Sequence, residues 1–488
     1  MIDFIAKIHD KFTLEFKALY KARHKIKINN FTLNTWIFVP NSLDINKRTY
    51  NHSDFYKDLR TNIRLITPVF LLREIAGGNA TPLNNLQRAM NELTINPTRS
   101  NASEYEYQIK MFAAIFKSAL REQLNFVFDT SHSNQDRGVL IEQLIADVEN
   151  TMTKYRTLSH IIKAPTITKE QFSYFTYGDE FICNLSLKEI YGLVYKLEKK
   201  KEEELLLKLR NRTVCFLEQE EAYKIKQNYP TFAPYDKQKN SDIIFRFGAL
   251  KKYIESDLFL NANKKKDGVL MENFHQSIAA GLAMIFATAV AFSVQKTFGN
   301  LTVPLFVALV VSYMLKDRIK EYMRYYFASK QSGKYFDNKT TISIKENEIG
   351  WTKESFDFIS ESDIPPEVLR VRNRLPLLEA GNRFSKEKII LFKKTVYLNR
   401  KELDDNTTFN VAGVAEILRL NLSSFMRKMD NPEFPLFMLD KNKEIGKIAG
   451  TKNYFMNIVV QSKFESTETL QRYRITFNRD EIVNIKKM

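Results

Sequence analysis

The fold is decided by residues 277–315, which read SIAAGLAMIFATAVAFSV (277–294), QKTFGN (295–300) and LTVPLFVALVVSYML (301–315). Among these 39 residues only Lys296 is charged. A helix over 277–294 would span about 27 Å, close to the hydrocarbon thickness of a bilayer. Gly299 and Asn300 supply turn chemistry between the two apolar runs. The stretch therefore predicts a transmembrane helical hairpin over 277–315, with helices at 277–294 and 299–315.

Basic residues flank this stretch on both sides. Nine Lys or Arg lie within twenty residues of its ends, against Lys296 alone in the turn. Because cytoplasmic loops carry an excess of Lys and Arg, both flanks are predicted to be cytoplasmic. We expect a two-pass protein of a bacterial-type cell inner membrane, with both termini cytoplasmic. Predicted contacts with anionic lipid headgroups are Lys264, Lys265, Lys266, Lys316, Arg318, Lys320 and Arg324.

A ridge of small residues runs along the first apolar helix. Ala279, Ala283, Ala287 and Ala291 recur every four residues. Small residues on one helix face allow another helix to approach closely. The ridge predicts packing against the second helix of the same hairpin or against another subunit in a homo-oligomer. The hairpin contains no Asp, Glu or His, which argues against ion-coupled transport. The alternative to a membrane hairpin is a buried pair of helices in a soluble core.

Composition bounds the rest of the chain. Its 488 residues carry a formal net charge of +17 and two cysteines, Cys183 and Cys215. A mean hydropathy of −0.34 excludes a polytopic transporter. The charge permits an anionic lipid or an acidic protein partner, while the absence of aromatics interleaved with a basic stripe makes nucleic acid an unexpected partner. Two cysteines exclude a disulfide-stapled domain.

The predicted fold class is a membrane-anchored α+β protein. Residues 1–260 form a mainly α-helical cytoplasmic domain in this prediction, because apolar residues such as Ile109, Phe112 and Phe116 recur at helical spacing. Residues 25–39 are predicted as one or two strands. A basic juxtamembrane segment covers 261–276 and a basic juxtamembrane helix covers 316–330. Residues 331–488 are predicted as a β-rich cytoplasmic domain, with strands at 340–345, 388–398 and 454–464 and a hairpin across 478–480.

The sequence contains no recognised catalytic signature. A GxxxxGK[ST] loop, HExxH, GxSxG and C-x-x-C are all absent. We therefore predict no catalytic residue, cofactor or metal site, and enzyme activity is not indicated. Arg370, Arg372 and Arg374 would share one face of an extended segment and could bind an anion there. On a helix they would point in different directions and the site would not form.

Three functional hypotheses follow. The first is a membrane-anchored scaffold or binding and regulatory protein with a cytoplasmic protein partner, as a monomer or a homo-oligomer. The second is a membrane-perturbing effector assembled from several hairpins through the alanine ridges. The third is a membrane-tethered enzyme with an unrecognised site, which a ligand-sized pocket with convergent polar groups would favour.

Overall fold

The computed structural model describes residues 1–78, 81–128, 133–199, 203–299, 302–331, 336–373, 387–439 and 444–488. It is 51% helical and 28% strand, which confirms the predicted mixture of helix and sheet. The chain divides into two compact units. The β-rich unit comprises Met1–Ile63, Asn261–Asn406 and Gly413–Met488, and the helical unit comprises Arg64–Leu260 and Thr407–Ala412.

An eight-stranded antiparallel sheet forms one layer of the β-rich unit. Its strand order is β14-β13-β12-β3-β8-β7-β6-β5. These strands are β3 (Ile28–Val39), β5 (Asn261–Lys266), β6 (Asn338–Ile344), β7 (Asn347–Ile359), β8 (Lys388–Asn399), β12 (Tyr454–Phe464), β13 (Thr467–Phe477) and β14 (Ile482–Lys487). The central strand β3 pairs with β8 on one side and β12 on the other.

A four-stranded sheet, in the order β1-β2-β9-β4, accompanies the larger one. It contains β1 (Ile2–Ile8), β2 (Thr13–Lys21), β4 (Leu59–Leu65) and β9 (Gly413–Asn421). A separate two-stranded ribbon contains β10 (Glu433–Leu439) and β11 (Ile445–Thr451). Short helices connect the strands: α1 (His52–Asp58), α12 (Pro366–Arg372), α13 (Arg400–Asp405) and α14 (Ser423–Met426).

A buried ionic cluster joins the two sheets. Lys394 of β8 is fully buried, and its Nζ contacts Glu354 Oε2 of β7 at 3.2 Å and the Glu416 carboxylate of β9. The Tyr20 hydroxyl donates to Glu416 Oε2 at 3.2 Å. Burial raises the pKa of Glu354, but Lys394 and Lys264 outweigh it and hold this pKa below its usual value. Because an unpaired buried charge is costly, the cluster favours this pairing of sheets over alternatives.

The structure divides the chain differently from the predicted domain of residues 1–260. Residues 1–63 carry β1, β2, β3 and α1, and they lie in the β-rich unit. The predicted strand at 25–39 coincides with β3. The physical reason for the division is the pairing of β3 with β8 and β12, which come from the other end of the chain. Local periodicity carries no information on pairing over such a separation.

The helical unit is built around one long helix, α4 (Arg99–Val127), whose Ile109, Phe112 and Phe116 are fully buried. Arg156 of α5 donates to both oxygens of Glu220 on α8 and to Asp179 on α7, so a buried ionic network ties three helices together. The other helices are α2 (Leu72–Ile75), α3 (Pro82–Ile95), α5 (Asn134–Thr157), α6 (Ser159–Ile162), α7 (Lys169–Lys199), α8 (Glu203–Lys226) and α9 (Lys237–Glu255).

Two long helices, α10 (Val269–Phe298) and α11 (Val303–Gln331), cover the predicted hairpin. Gly268 precedes α10 with φ of +73°, a conformation that glycine adopts without strain. Gly299 ends α10 with φ of +77°, and its N–H donates to the Gln295 carbonyl at 3.0 Å. The predicted juxtamembrane helix at 316–330 is the continuation of α11. The predicted segment 261–276 is divided between strand β5, a turn and the start of α10.

Candidate membrane-facing surface and ligand pocket

Small side chains fill the contact between α10 and α11. Ala279 and Ala283 are 0% and 1% exposed, and Ser312 of α11 is also buried. The Ser312 hydroxyl donates to the Ala287 carbonyl at 3.3 Å. Ala287 and Ala291 are half-buried. Two members of the predicted alanine ridge, Ala279 and Ala283, are thus buried, and the Ala287 carbonyl contacts α11 of the same chain.

Large apolar side chains cover the outside of this helix pair. Ile285, Phe292 and Phe306 are 65%, 71% and 69% exposed. Further exposed apolar side chains on the pair are Phe274, Ile278, Leu282, Met284, Val303, Val307, Leu309, Val310, Val311, Met314 and Leu315. Within the described residues, one helix, Asn273–Thr297, is long and apolar enough to cross a membrane, and 11% of its apolar window is buried. That criterion rests on length and composition.

The predicted headgroup contacts have varied surroundings. Lys264 forms an ion pair with Glu354, whereas Lys265 and Lys266 are exposed on the edge strand β5. On α11 the Lys316 Nζ lies 3.8 Å from the Tyr313 ring centroid, and Lys320 is half-buried. Two exposed arginines of α11 have polar partners: Arg318 pairs with Glu321 at 3.1 Å, and Arg324 donates to Gln276 Oε1 at 2.9 Å.

The predicted anion-binding arginines lie on a helix. Arg370 and Arg372 belong to α12, where residues two positions apart point in nearly opposite directions. Arg370 is exposed, whereas Arg372 is buried and donates to Glu387. Arg374 lies outside the described residues. The extended geometry that the prediction required is therefore not present at Arg370 and Arg372.

A pocket of 810 Å³ lies in the β-rich unit where the chain enters α10 and leaves α11. Asp267 and Gly268, directly before α10, contribute to its wall, as do Phe336 and Asp337, which follow α11. The Asp267 N–H donates to the Asp337 carbonyl at 3.2 Å, so the two connecting segments are hydrogen-bonded to each other. We call this cavity the helix-base pocket. Its volume is in the range of small-molecule sites.

The Asp337 carboxylate organises one wall of the helix-base pocket. Its Oδ2 accepts hydrogen bonds from the Tyr56 hydroxyl at 2.9 Å and the Phe356 N–H at 2.8 Å, and His52 Nδ1 lies 3.2 Å away. Burial and the nearby Asp337 charge both raise the pKa of Tyr56 well above its usual value. Tyr56 therefore remains a hydrogen-bond donor, and Asp337 is held in place from α1 and β7.

The remaining wall combines aromatic rings with lysines. Phe356 stacks on Phe55 with ring centroids 4.3 Å apart, and Phe358 lies beside it. Lys47 forms an ion pair with Asp357 at 3.3 Å. Lys393 is exposed at the pocket, and no described residue forms an ion pair with it. Aromatic rings together with Lys393 suit an organic anion that has an aromatic or apolar body, and the lining also contains the carboxylates of Asp267, Asp337 and Asp357.

No metal-binding cluster is found among the described residues, where groups of three or more His, Cys, Asp or Glu were sought. Comparison with protein families, with curated proteins and with solved structures finds no match. The functional interpretation therefore depends on the geometry of this chain.

The sequence analysis missed the helix-base pocket. Its walls come from residues 47–56, 266–268, 336–338, 355–359 and 391–393, which only the pairing of distant strands brings together. No sequence signal pointed to it, because Asp267 lies ten residues before the predicted hairpin at 277–315 and Asp337 lies 22 residues after it.

Proposed function

We propose that this chain is a membrane-anchored binding protein that spans the bilayer through α10 and α11 and binds a regulatory ligand in the helix-base pocket. The observation that carries the proposal is the arrangement of α10 and α11, with Ala279 and Ala283 inside and large apolar residues outside. In water this arrangement would expose a continuous apolar surface, whereas in lipid it costs nothing.

Both soluble units lie on the cytoplasmic side in this proposal. Support comes from the nine Lys and Arg that flank the helix pair, compared with Lys296 alone near the turn. The tyrosines Tyr322, Tyr325 and Tyr326 of α11 are exposed and are suited to the membrane interface.

Extraction tests the anchor. Full-length protein in isolated membranes should stay in the pellet after washing with alkaline carbonate and should enter solution only with detergent. A monodisperse full-length protein in the detergent-free soluble fraction would eliminate the anchor.

The cysteines offer a test of topology. Cys215 is exposed, whereas burial raises the pKa of the Cys183 thiol, so Cys183 should react slowly. A membrane-impermeant maleimide should label Cys215 only after spheroplasts are permeabilised. In a Cys215→Ser background, Lys296→Cys should be labelled in intact spheroplasts. Labelling of both sites from the same side would contradict the two-pass arrangement.

Ligand binding would be coupled to the helices through chain connectivity. The pocket wall includes the residue pairs that lead into α10 and out of α11, joined by the hydrogen bond between Asp267 and Asp337. A ligand that contacts both segments would shift the relative positions of the helix ends. A conformational response requires that the ligand binds the two states with different affinity.

Thermal unfolding in detergent tests the pocket with two aromatic anions, AMP and indole-3-acetate, and with neutral benzyl alcohol as a comparison. We expect at least one anion to raise the unfolding temperature. Lys393→Gln should weaken that binding about tenfold, since one charge-assisted contact is lost. The matched control is Lys388→Gln, an exposed lysine of the same strand outside the pocket. Equal binding by the parent and Lys393→Gln would contradict binding of aromatic anions at this pocket. An unfolding temperature that neither anion changes would contradict it as well.

No observation favours the alternatives as strongly. A membrane-perturbing assembly would need the alanine ridge, which packs within the chain's own helix pair. A tethered enzyme would have the required pocket volume, but among the described contacts neither Ser53 nor Ser355 of the pocket wall hydrogen-bonds to His52. A homo-oligomer or a cytoplasmic protein partner stays a prediction, and the mass of the detergent-solubilised protein tests the former.

A further inference from the structure

A second pocket, of 500 Å³, lies at one end of the four-stranded sheet in the β-rich unit. Thr13 at the start of β2 is paired with Asn421 at the end of β9, and both line the pocket. The turn after β1, the end of α1, the start of β4 and the α14 region supply the other walls. We call it the arginine pocket.

All eleven side chains that line the arginine pocket are polar or charged. They include four cations, Lys57, Arg60, Arg419 and Arg427, and two carboxylates, Asp10 and Asp58. Ser423 and Ser424 also line the pocket. An apolar ligand would find no apolar side chain here to contact, so the lining selects a strongly polar ligand.

Two of the arginines form no ion pair with any described residue. Arg60 and Arg427 are exposed, and within the described part of the chain neither guanidinium has an ion-pair or hydrogen-bond partner. Arg419 differs, because its Nε donates to Glu15 Oε2 at 2.8 Å, which fixes its position. The pocket thus contains one positioned guanidinium and two that are available for a ligand.

The carboxylates of the pocket are already engaged. Asp58 Oδ2 accepts a hydrogen bond from the Tyr50 hydroxyl at 2.9 Å, and Asp10 Oδ1 accepts one from the Phe12 N–H at 2.9 Å. Burial raises the pKa of Asp10, but the hydrogen bonds from Phe12 and Thr13 outweigh this effect and keep the pKa below its usual value. Neither acid pairs with Arg60 or Arg427, so the positive character of the pocket persists.

We propose that the arginine pocket binds the phosphate group of a small polyol phosphate, with Arg60 and Arg427 as the main ligands and the hydroxyls of Ser423 and Ser424 as further donors. Planar guanidinium groups match phosphate oxygens bidentately. The absence of Phe, Tyr and Trp from the described lining disfavours a nucleotide base, whereas a hydroxylated group would find polar partners. This inference does not depend on the membrane anchor or on the helix-base pocket.

The phosphate could belong to a soluble ester or to a lipid headgroup, and both share this chemistry. Glycerol 3-phosphate is therefore titrated into full-length protein in nanodiscs of zwitterionic phosphatidylcholine, and binding is followed by calorimetry at constant ionic strength. Repeating the titration in nanodiscs doped with phosphatidylglycerol separates the two sources. Competition from the headgroup should weaken binding of the soluble ester several-fold, whereas an unchanged affinity assigns the site to soluble esters.

Variants then locate the site. The double variant Arg60→Gln and Arg427→Gln should bind glycerol 3-phosphate about 25-fold more weakly, if each arginine contributes about fivefold. Ser424→Ala is a milder variant that should weaken binding about threefold without altering charge. The control is Arg370→Gln, which replaces an exposed arginine outside the pocket. This variant should bind glycerol 3-phosphate as the parent does.

Three results would overturn the proposal. The first is the absence of heat from glycerol 3-phosphate with parent protein in phosphatidylcholine nanodiscs. The second is equal affinity of the parent and the double variant. The third is a loss of binding in Arg370→Gln, which would move the anion site to α12. An unchanged unfolding temperature of Ser424→Ala without ligand would show that its weaker binding does not come from misfolding.

Discussion

The α10–α11 pair and helix α4 of the helical unit both contain many apolar residues, but they bury opposite kinds of side chain. In α4 the large residues Ile109, Phe112 and Phe116 are inside. In α10 the small residues Ala279 and Ala283 are inside, and Ile285 and Phe292 are outside. In water, the folded state of a protein is stabilised when its largest apolar groups are buried. The comparison shows that the direction of large apolar side chains, more than their number, indicates whether a helix pair is suited to water or to lipid.

The largest effect is expected in the helical unit. Phe112→Asp replaces a fully buried ring with a charge and should lower the free energy of unfolding by about 4 kcal/mol or more. Hydrogen exchange followed by mass spectrometry should show loss of protection across Arg64–Leu260. The control Phe245→Asp, at a ring that is 79% exposed, should keep protection. Native protection in Phe112→Asp would mean that α4 is not the core of this unit.

The same kind of substitution in α10 should release the protein from the membrane and leave the helical unit folded. Ile285→Asp places a charge near the middle of the apolar helix, which costs about 3 kcal/mol of membrane insertion. The carbonate-extractable fraction should rise, while hydrogen exchange of the helical unit stays at the parent level. Lys296→Asn in the last turn of α10 is the control and should remain in the membrane pellet. If the helical unit of Ile285→Asp is unfolded, the proposed difference between α10 and α4 is wrong.

A smaller effect is expected inside the helix pair. Ala283→Leu adds volume at a buried contact and should destabilise the pair by about 1–3 kcal/mol. Gly281→Leu is a matched control, because a Cβ at Gly281 meets no atom within 4 Å. Cross-linking between Ala287→Cys and Ser312→Cys, in a Cys215→Ser background, reports helix contact. Equal cross-linking of both leucine variants would indicate that the alanine ridge is not the packing face.

The smallest effect concerns a single hydrogen bond. Ser312→Ala removes the donor to the Ala287 carbonyl and should cost about 0.6 kcal/mol, the typical value for interhelical hydrogen bonds in membranes. The denaturant midpoint of the reconstituted helix pair measures the cost. A loss of more than about 2 kcal/mol in the unfolding free energy of the helix pair would imply that Ser312 has a further role in packing.

Local patterns predicted the elements that depend on neighbouring residues. The turn predicted at 295–300 begins later in the structure, because residues 295–298 belong to α10, and Gly299 with its positive φ follows that helix. The predicted strands at 388–398 and 454–464 coincide with β8 and β12, because short runs rich in Ile, Val, Phe and Tyr are typical of strands. The predicted basic helix at 316–330 is the second half of α11.

Long-range pairing and both pockets could not be predicted. The assignment of residues 1–63 to the β-rich unit depends on β3 pairing with β8 and β12, which have no local signature. The arginine pocket draws on residues 9–13, 57–60 and 419–427, and no part of that set forms a motif alone. The arginine trio at 370–374 did attract a prediction, because spacing alone does not distinguish a strand from the short helix α12, which begins at Pro366.

Strands β5 and β6 are antiparallel partners, with Lys266 opposite Asn338. Everything between those two positions, including α10 and α11, is topologically the loop of one β-hairpin. A short reverse turn in its place would leave both strands and their hydrogen-bonding register intact. Evolution could therefore have gained this segment in one insertion event. A truncated, detergent-free version of the chain should be obtainable by excising it at that seam.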